Sequence, residues 1–169
     1  MRALLLTGAR REELAALKWS DVDFQWRKLT LADKVNNSRT VPLSPYLGQM
    51  LATLPRLNAF VFASASKSGR ISDTRSTHAR ALQNAGIEAI RIHGLRRSFS
   101  LLGEAAGAIA QVMGHKPSAT AEGYRPRSVD ALCPFLERIE AHNLSLAGVQ
   151  FSAPDTFAGK LRLIDSAAA

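Results

Sequence analysis

One stretch of this chain runs in a different period from everything around it. Between residues 22 and 42, Phe24, Trp26, Leu29 and Leu31 alternate with polar residues, and Thr40-Val41-Pro42-Leu43 follows a turn signal at Asn36-Asn37-Ser38. A period of two sends successive side chains to opposite faces of a strand. Proline, which has no N–H to give a ladder, belongs at a strand's end or edge. The stretch therefore reads as three short antiparallel strands, the last closed by Pro42. So small a meander cannot form a core alone and must be covered by helices. The expected fold class is mainly α with a small three-stranded antiparallel β-sheet, an α+β arrangement.

The flanking segments carry the helical period. Residues 3–6 read as the end of a helix, and segment 10–18 as another, with Leu14 and Leu17 on one face. Ser44-Pro45 supplies an N-cap and a first-turn proline for a helix reaching about Leu54. A Ser-rich loop from Ser64 to Gly69 leads to a helix over about 73–85, capped by Gly86. Two or three helices cover 93–123, and a last one spans 128–147 with Val129, Leu132, Leu136 and Ile139 on its buried face. From Ser152 onward no period is visible, so the expected organisation is one domain over 1–150 and a loose tail over 151–169.

Composition narrows the class of partner. With 22 Lys+Arg against 14 Asp+Glu the chain carries a formal +8, which favours a polyanion through phosphate attraction and counterion release. That balance alone is shared by many solvated surfaces. No apolar run approaches the roughly 20 residues of a membrane span. The opening Met1-Arg2-Ala3-Leu4-Leu5-Leu6 stops at Thr7, too short for an export signal. Cys133 is the single cysteine, so no intrachain disulfide forms and a reducing cytosol is the expected setting.

Three segments place phosphate-binding or proton-transfer groups at a helix or turn. In Thr7-Gly8-Ala9-Arg10-Arg11-Glu12-Glu13, a glycine lets the backbone turn sharply before an arginine at a helix start. In His93-Gly94-Leu95-Arg96-Arg97, residues 93 and 96 share a helical face. In Gly114-His115-Lys116-Pro117-Ser118-Ala119-Thr120-Ala121-Glu122-Gly123-Tyr124, Gly114 ends one helix and Ser118 caps the next. Taken singly, these are also a solvated helix start, a basic helix face and a packing tyrosine. The four histidines and one cysteine have no zinc spacing. Asp21 and Asp23 alternate in a strand without partner carboxylates, which argues against a two-metal nuclease. His78 and His142 read as helix-surface residues.

The order Thr-Gly-x-Arg-x-x-Glu, a lysine in a β-turn, His-x-x-Arg, Gly-His and Tyr, running from Leu4 to Tyr124, resembles the tyrosine recombinase (phage integrase) family. The resemblance implies the DNA breaking-rejoining fold, with Arg10 and Arg96 as the paired catalytic arginines and Lys34 as the hairpin lysine. It implies His93 beside Arg96, His115 as the second histidine and Tyr124 as the nucleophile. Glu13 falls on the family's acidic position as a structural residue, and Arg97 fits the register less well than Arg96. Further implications are a double-stranded DNA partner, a tetramer on DNA, no membrane association, no cofactor or metal, and a cytoplasmic, nucleoid-associated location.

Two departures from the family pattern stand out. Only six residues precede Thr7, so the first helix and the amino-terminal DNA clamp are expected to be missing. Segment 98–114 also reads a few residues short, which would displace His115 and Tyr124 from Arg10, and about 1 Å of misplacement can cost a hundredfold in rate. A non-catalytic DNA-binding remnant is the alternative to an enzyme, and a strand-swivelling topoisomerase would use similar chemistry. The apolar side of the last helix, with Leu132, Leu136, Ile139 and Leu144, is open to two readings: docking on a neighbouring subunit, or packing on its own core.

Overall fold

The period-two segment folds as a meander. The computed structural model describes residues 1–33, 37–102, 106–115 and 127–153. In it, strands β1 (Val22–Asp23), β2 (Lys28–Asp33) and β3 (Asn37–Pro42) form one antiparallel sheet in that order. Val22 pairs with Leu29, and β2 pairs with β3 from Lys28–Pro42 to Asp33–Asn37. Leu29, Leu31 and Val41 are fully buried, whereas Thr30 and Thr40, paired with each other, are exposed. One face of the sheet thus feeds the core.

Two residues leave the expected alternation. Trp26 sits in the β1–β2 turn and is 65% exposed. Its N–H donates to Asp23 at 2.8 Å, and the neighbouring Arg27 takes a left-handed φ of 51°, so the turn rather than the strand sets its direction. Asp21 lies in a 3₁₀ turn, Trp19–Asp21, where its carboxylate accepts the Lys18 N–H at 3.0 Å.

The helices are α1 (Arg2–Thr7), α2 (Arg11–Ala15), α3 (Pro45–Ala52), α4 (Arg75–Asn84), α5 (Ile92–Leu102), α6 (Ala106–Met113) and α7 (Val129–Leu146). Helix α2 stops short of the expected residue 18 because the backbone beyond it is engaged elsewhere. The Leu17 carbonyl accepts from Val61 at 2.9 Å, and the Trp19 N–H donates to Ala59 at 3.0 Å. Helix α1 packs on α5 and α7, and α7 covers β3. Leu132, Leu136 and Ile139 are buried in this core, so that face of α7 packs on its own domain. Among the described residues, no helix is long and apolar enough to cross a membrane.

Helix α3 begins as read, at Ser44-Pro45, but its cap comes from another helix. The Ser44 side chain makes no capping bond and instead donates to Glu140 of α7. Glu140 is 4% exposed and also accepts the Tyr46 and Leu47 N–H groups at 2.9 and 3.0 Å. A carboxylate thus meets the positive end of α3 and satisfies donors that the helix cannot. Glu140→Ala is expected to lower stability by about 2–4 kcal/mol, since it strands three donors, two of them buried. Chemical denaturation measures this, and a loss below about 0.5 kcal/mol would contradict the clamp.

Candidate active site

Helix α5 places an arginine where an apolar side chain is expected. Ile92, Leu95, Phe99 and Leu102 recur at helical spacing and face the core. Arg96 lies on the same stripe, 6% exposed, while Arg97 turns outward to solvent. Burying a guanidinium is costly unless its N–H groups are satisfied. Arg96 donates to the Gly8 carbonyl and, at 2.7 Å, to the Met113 carbonyl, and its Nη2 lies 3.1 Å from His115 Nε2. One side chain therefore ties together the ends of α1 and α6 and the histidine beyond them.

The Thr7-Gly8 turn presents that carbonyl. Buried Thr7 donates its hydroxyl to the Ala3 carbonyl at 2.6 Å and accepts the Ala9 N–H at 3.2 Å. Gly8 closes α1 in the left-handed region, φ 59°, with its N–H on the Leu4 carbonyl. The Phe99 ring packs directly on its Cα, leaving no room for a Cβ.

Arg10 follows as the N-cap of α2. Its backbone N–H donates to Glu13 Oε2 at 2.7 Å and its guanidinium to Glu13 Oε1 at 2.6 Å. Glu13, 7% exposed, also receives Arg39 of β3 as a fork: Nη1 to Oε1 at 3.0 Å and Nη2 to Oε2 at 2.7 Å. Burial works to raise the Glu13 pKa, but hydrogen bonds from Arg39, then from the backbone and side chain of Arg10, outweigh it and hold the carboxyl below its usual value. Its stabilising contribution is present above the ordinary glutamate pKa and lost as pH falls through the depressed one.

Arg39 and Arg96 also finish α6. Arg39 Nε donates to the Val112 carbonyl at 2.8 Å, beside the Met113 carbonyl that Arg96 takes. Cations on the last carbonyls oppose the negative end of the helix. Gly114, at φ 68°, then turns the chain, with the Gly114 N–H on Gln111 and the His115 N–H on Ala110, the paired bonds of a Schellman cap.

A guanidinium only donates, so His115 Nε2 must accept and the ring is neutral with its proton on Nδ1. Burial, then the charges of Arg96, Arg10 and Arg39, lower the His115 pKa. An NMR titration is expected to give a midpoint below 6.5, moving up in Arg39→Met as one cation is removed. Because the folded pKa is the lower one, the associated stability is full above 6.5 and lost as pH falls through the His115 midpoint. A midpoint above 6.5 would contradict this arrangement.

Arg10, His93 and Arg96 line one groove of about 550 Å³, together with Arg11, Arg75, His78 and Arg91. Exposed His93 stands in the first turn of α5. His115 reaches the site through Arg96, while Lys34 and Tyr124 lie outside the described residues. His78 corrects the surface reading: it is 7% exposed, with Nε2 2.7 Å from the Ile90 carbonyl. His142 is exposed, as expected. Arg39 was not anticipated. Its signal is position, two residues before Val41 and so on the inward face of β3.

The family model described as the phage integrase family matches residues 1–129. The prophage integrase IntF of Escherichia coli K12 is 47% identical over 161 residues, covering 88% of this chain and 34% of that protein. Tyrosine recombinase XerC of Pediococcus pentosaceus is 29% identical over 164 residues, covering 78% and 54%. Among solved structures, the integrase from mycobacterium phage Brujita superposes with a TM-score of 0.67 at 22% identity, covering 92% of this chain and 53% of that one. The chain spans between about a third and a half of the length of these relatives. A family model matching most of its length, on a helical frame with one three-stranded sheet, makes this chain a member of the phage integrase family, the tyrosine recombinases.

Proposed function

We propose that this chain carries the DNA-cleaving centre of a site-specific recombinase acting on a mobile element. The observation that carries the reading is convergence: Arg10 and Arg96, from opposite halves of the chain, line one basic groove with His93, and His115 sits against Arg96. Two guanidinium groups suit the non-bridging oxygens of a phosphodiester, where charge grows as the phosphorus becomes five-coordinate. Arg11, Arg75 and Arg91 extend the positive lining along which flanking phosphates would lie.

In the proposed reaction the Tyr124 phenolate oxygen attacks phosphorus, forming a 3′-phosphotyrosyl bond and breaking the bond to the 5′ oxygen. The phenol's reference pKa is about 10, so its proton must pass to a base, with His93 assisting. Lys34 gives a proton to the departing 5′ oxygen. Neutral His115 offers its Nδ1 proton as a donor within the site. The new ester conserves the energy of the old one, so rejoining by a 5′-hydroxyl needs neither ATP nor a metal. Among neighbours of this fold is a lambda integrase tetramer bound to a Holliday junction, which supports a DNA-bound tetramer here.

The test offers a pool of nicked duplexes to the chain and looks for denaturation-resistant adducts. Adducts are expected with the natural sequence and not with Tyr124→Phe. Salt-sensitive DNA binding with no adduct on any duplex would instead identify a binding remnant.

A further inference from the structure

We propose that His78 is a positioning residue which holds the segment leading into α5 and so aims His93 into the groove. This rests on the reading of His93 as a residue of the site and deepens it. His78 is the only buried residue of α4, a helix otherwise polar or small apart from half-buried Leu82. What the ring meets inside is a backbone acceptor: Nε2 donates to the Ile90 carbonyl at 2.7 Å.

Ile90 lies in a segment that little else holds. Residues 87–91 belong to no helix or strand, and Ile87 and Ile90 are about half exposed. The Ile87 N–H returns to the Leu82 carbonyl at 3.0 Å, and at the other end the Arg91 carbonyl accepts the Gly94 N–H at 2.7 Å. Between these points Ile90 is gripped twice. His78 takes its carbonyl, and its side chain lies against Gly94, where an added Cβ would come within 2.8 Å of Cγ2. Gly94 follows His93, so the two contacts run from α4 through Ile90 to the first turn of α5.

The core holds α5 further along, through Leu95 and Phe99, whereas His93 is exposed. Arg75, three residues before His78 and on the same side of α4, lines the groove together with Arg91 and His93. The His78–Ile90 hydrogen bond therefore sets the register between two segments that both supply the groove.

The test uses the full chain on nicked duplexes at saturating DNA. His78→Leu is expected to slow adduct formation about tenfold, the scale of a sub-ångström displacement. His78→Gln, whose amide nitrogen lies as many bonds from the backbone as Nε2, should stay within about threefold of natural. In a His93→Ala background, His78→Leu should cost less than about twofold, because the residue it aims is gone. A merely structural role predicts the same loss in both backgrounds. A natural rate in His78→Leu, or a tenfold loss that persists without His93, overturns the proposal.

Should His78→Leu fail to fold, His78→Asn decides, since its amide is one bond too short to reach Ile90. A tenfold loss there supports positioning, and a natural rate refutes it. If the natural chain forms no tyrosyl adduct on any duplex, the recombinase reading fails, and inorganic phosphate followed through the His93 Cε1–H NMR signal tests the inference separately. Phosphate affinity about fivefold weaker in His78→Leu supports it, and unchanged affinity refutes it. A natural chain whose His93 gives no response to phosphate overturns both.

Discussion

Arg96→Lys is expected to cut single-turnover strand cleavage by about a hundred- to a thousandfold, the usual cost of losing a preorganised donor to a developing oxyanion. Lysine keeps the charge, but its single nitrogen cannot reach the Gly8 carbonyl, the Met113 carbonyl and His115 together. The same substitution is expected to cost about 3 kcal/mol of stability, because a buried charge loses most of its partners. Adduct formation at saturating DNA and a thermal melt separate the two effects. Arg97→Lys, one residue along and exposed, serves as the control and should leave both unchanged. A cleavage rate near natural in Arg96→Lys would remove Arg96 from the site.

Gly8→Ala is expected to be strongly destabilising for so small a substitution. Two costs combine at this position. An L side chain at φ 59° adds about 1–2 kcal/mol, and a Cβ would sit inside the Phe99 ring, with Cε1 at 2.8 Å. Relieving that overlap costs about 1–3 kcal/mol more. The sum, roughly 3 kcal/mol, corresponds to a melting temperature lowered by about 6–12 °C. Since Gly8 also presents its carbonyl to Arg96, cleavage should fall below what unfolding alone explains. Adding Phe99→Leu should recover part of the stability by making room. A Gly8→Ala melting temperature equal to natural would contradict the packing described.

How far the sequence could be read depends on the distance over which each signal acts. The meander was legible because period two is written in neighbouring residues, Leu29, Leu31 and Val41 being inward as the alternation required. Arg96 was preferred to Arg97 on the register of the motif, and it is the buried one of the two, in line with Ile92, Leu95 and Phe99 on the inward face of α5. Glu13 was read as a structural residue, and its pairing with Arg39 as well as Arg10 was not foreseen.

What stayed hidden was set by residues far apart in the chain. Ser44 has the local signature of a cap, but its hydroxyl and the helix behind it are claimed by Glu140, ninety-six positions later. A lone arginine in a strand reads as solvated even at an inward position, and Glu13 and Val112, which receive Arg39, lie far from it in the chain. His78 lies on a strongly polar helix, and nothing local predicts that Ile90 offers it a carbonyl. Trp26 fits the strand period, yet a turn closed by Asp23 carries it outward.

In the proposed reaction a tyrosine of this chain attacks a DNA phosphodiester held by Arg10 and Arg96. Its most direct test isolates the covalent adduct on a nicked duplex, digests the protein and maps the modified peptide by mass spectrometry. The expected product is a 3′-phosphoryl nucleotide on Tyr124, with a free 5′-hydroxyl on the released strand. A nucleotide on Tyr46 or on any serine, or a 5′-phosphoryl link, would contradict it.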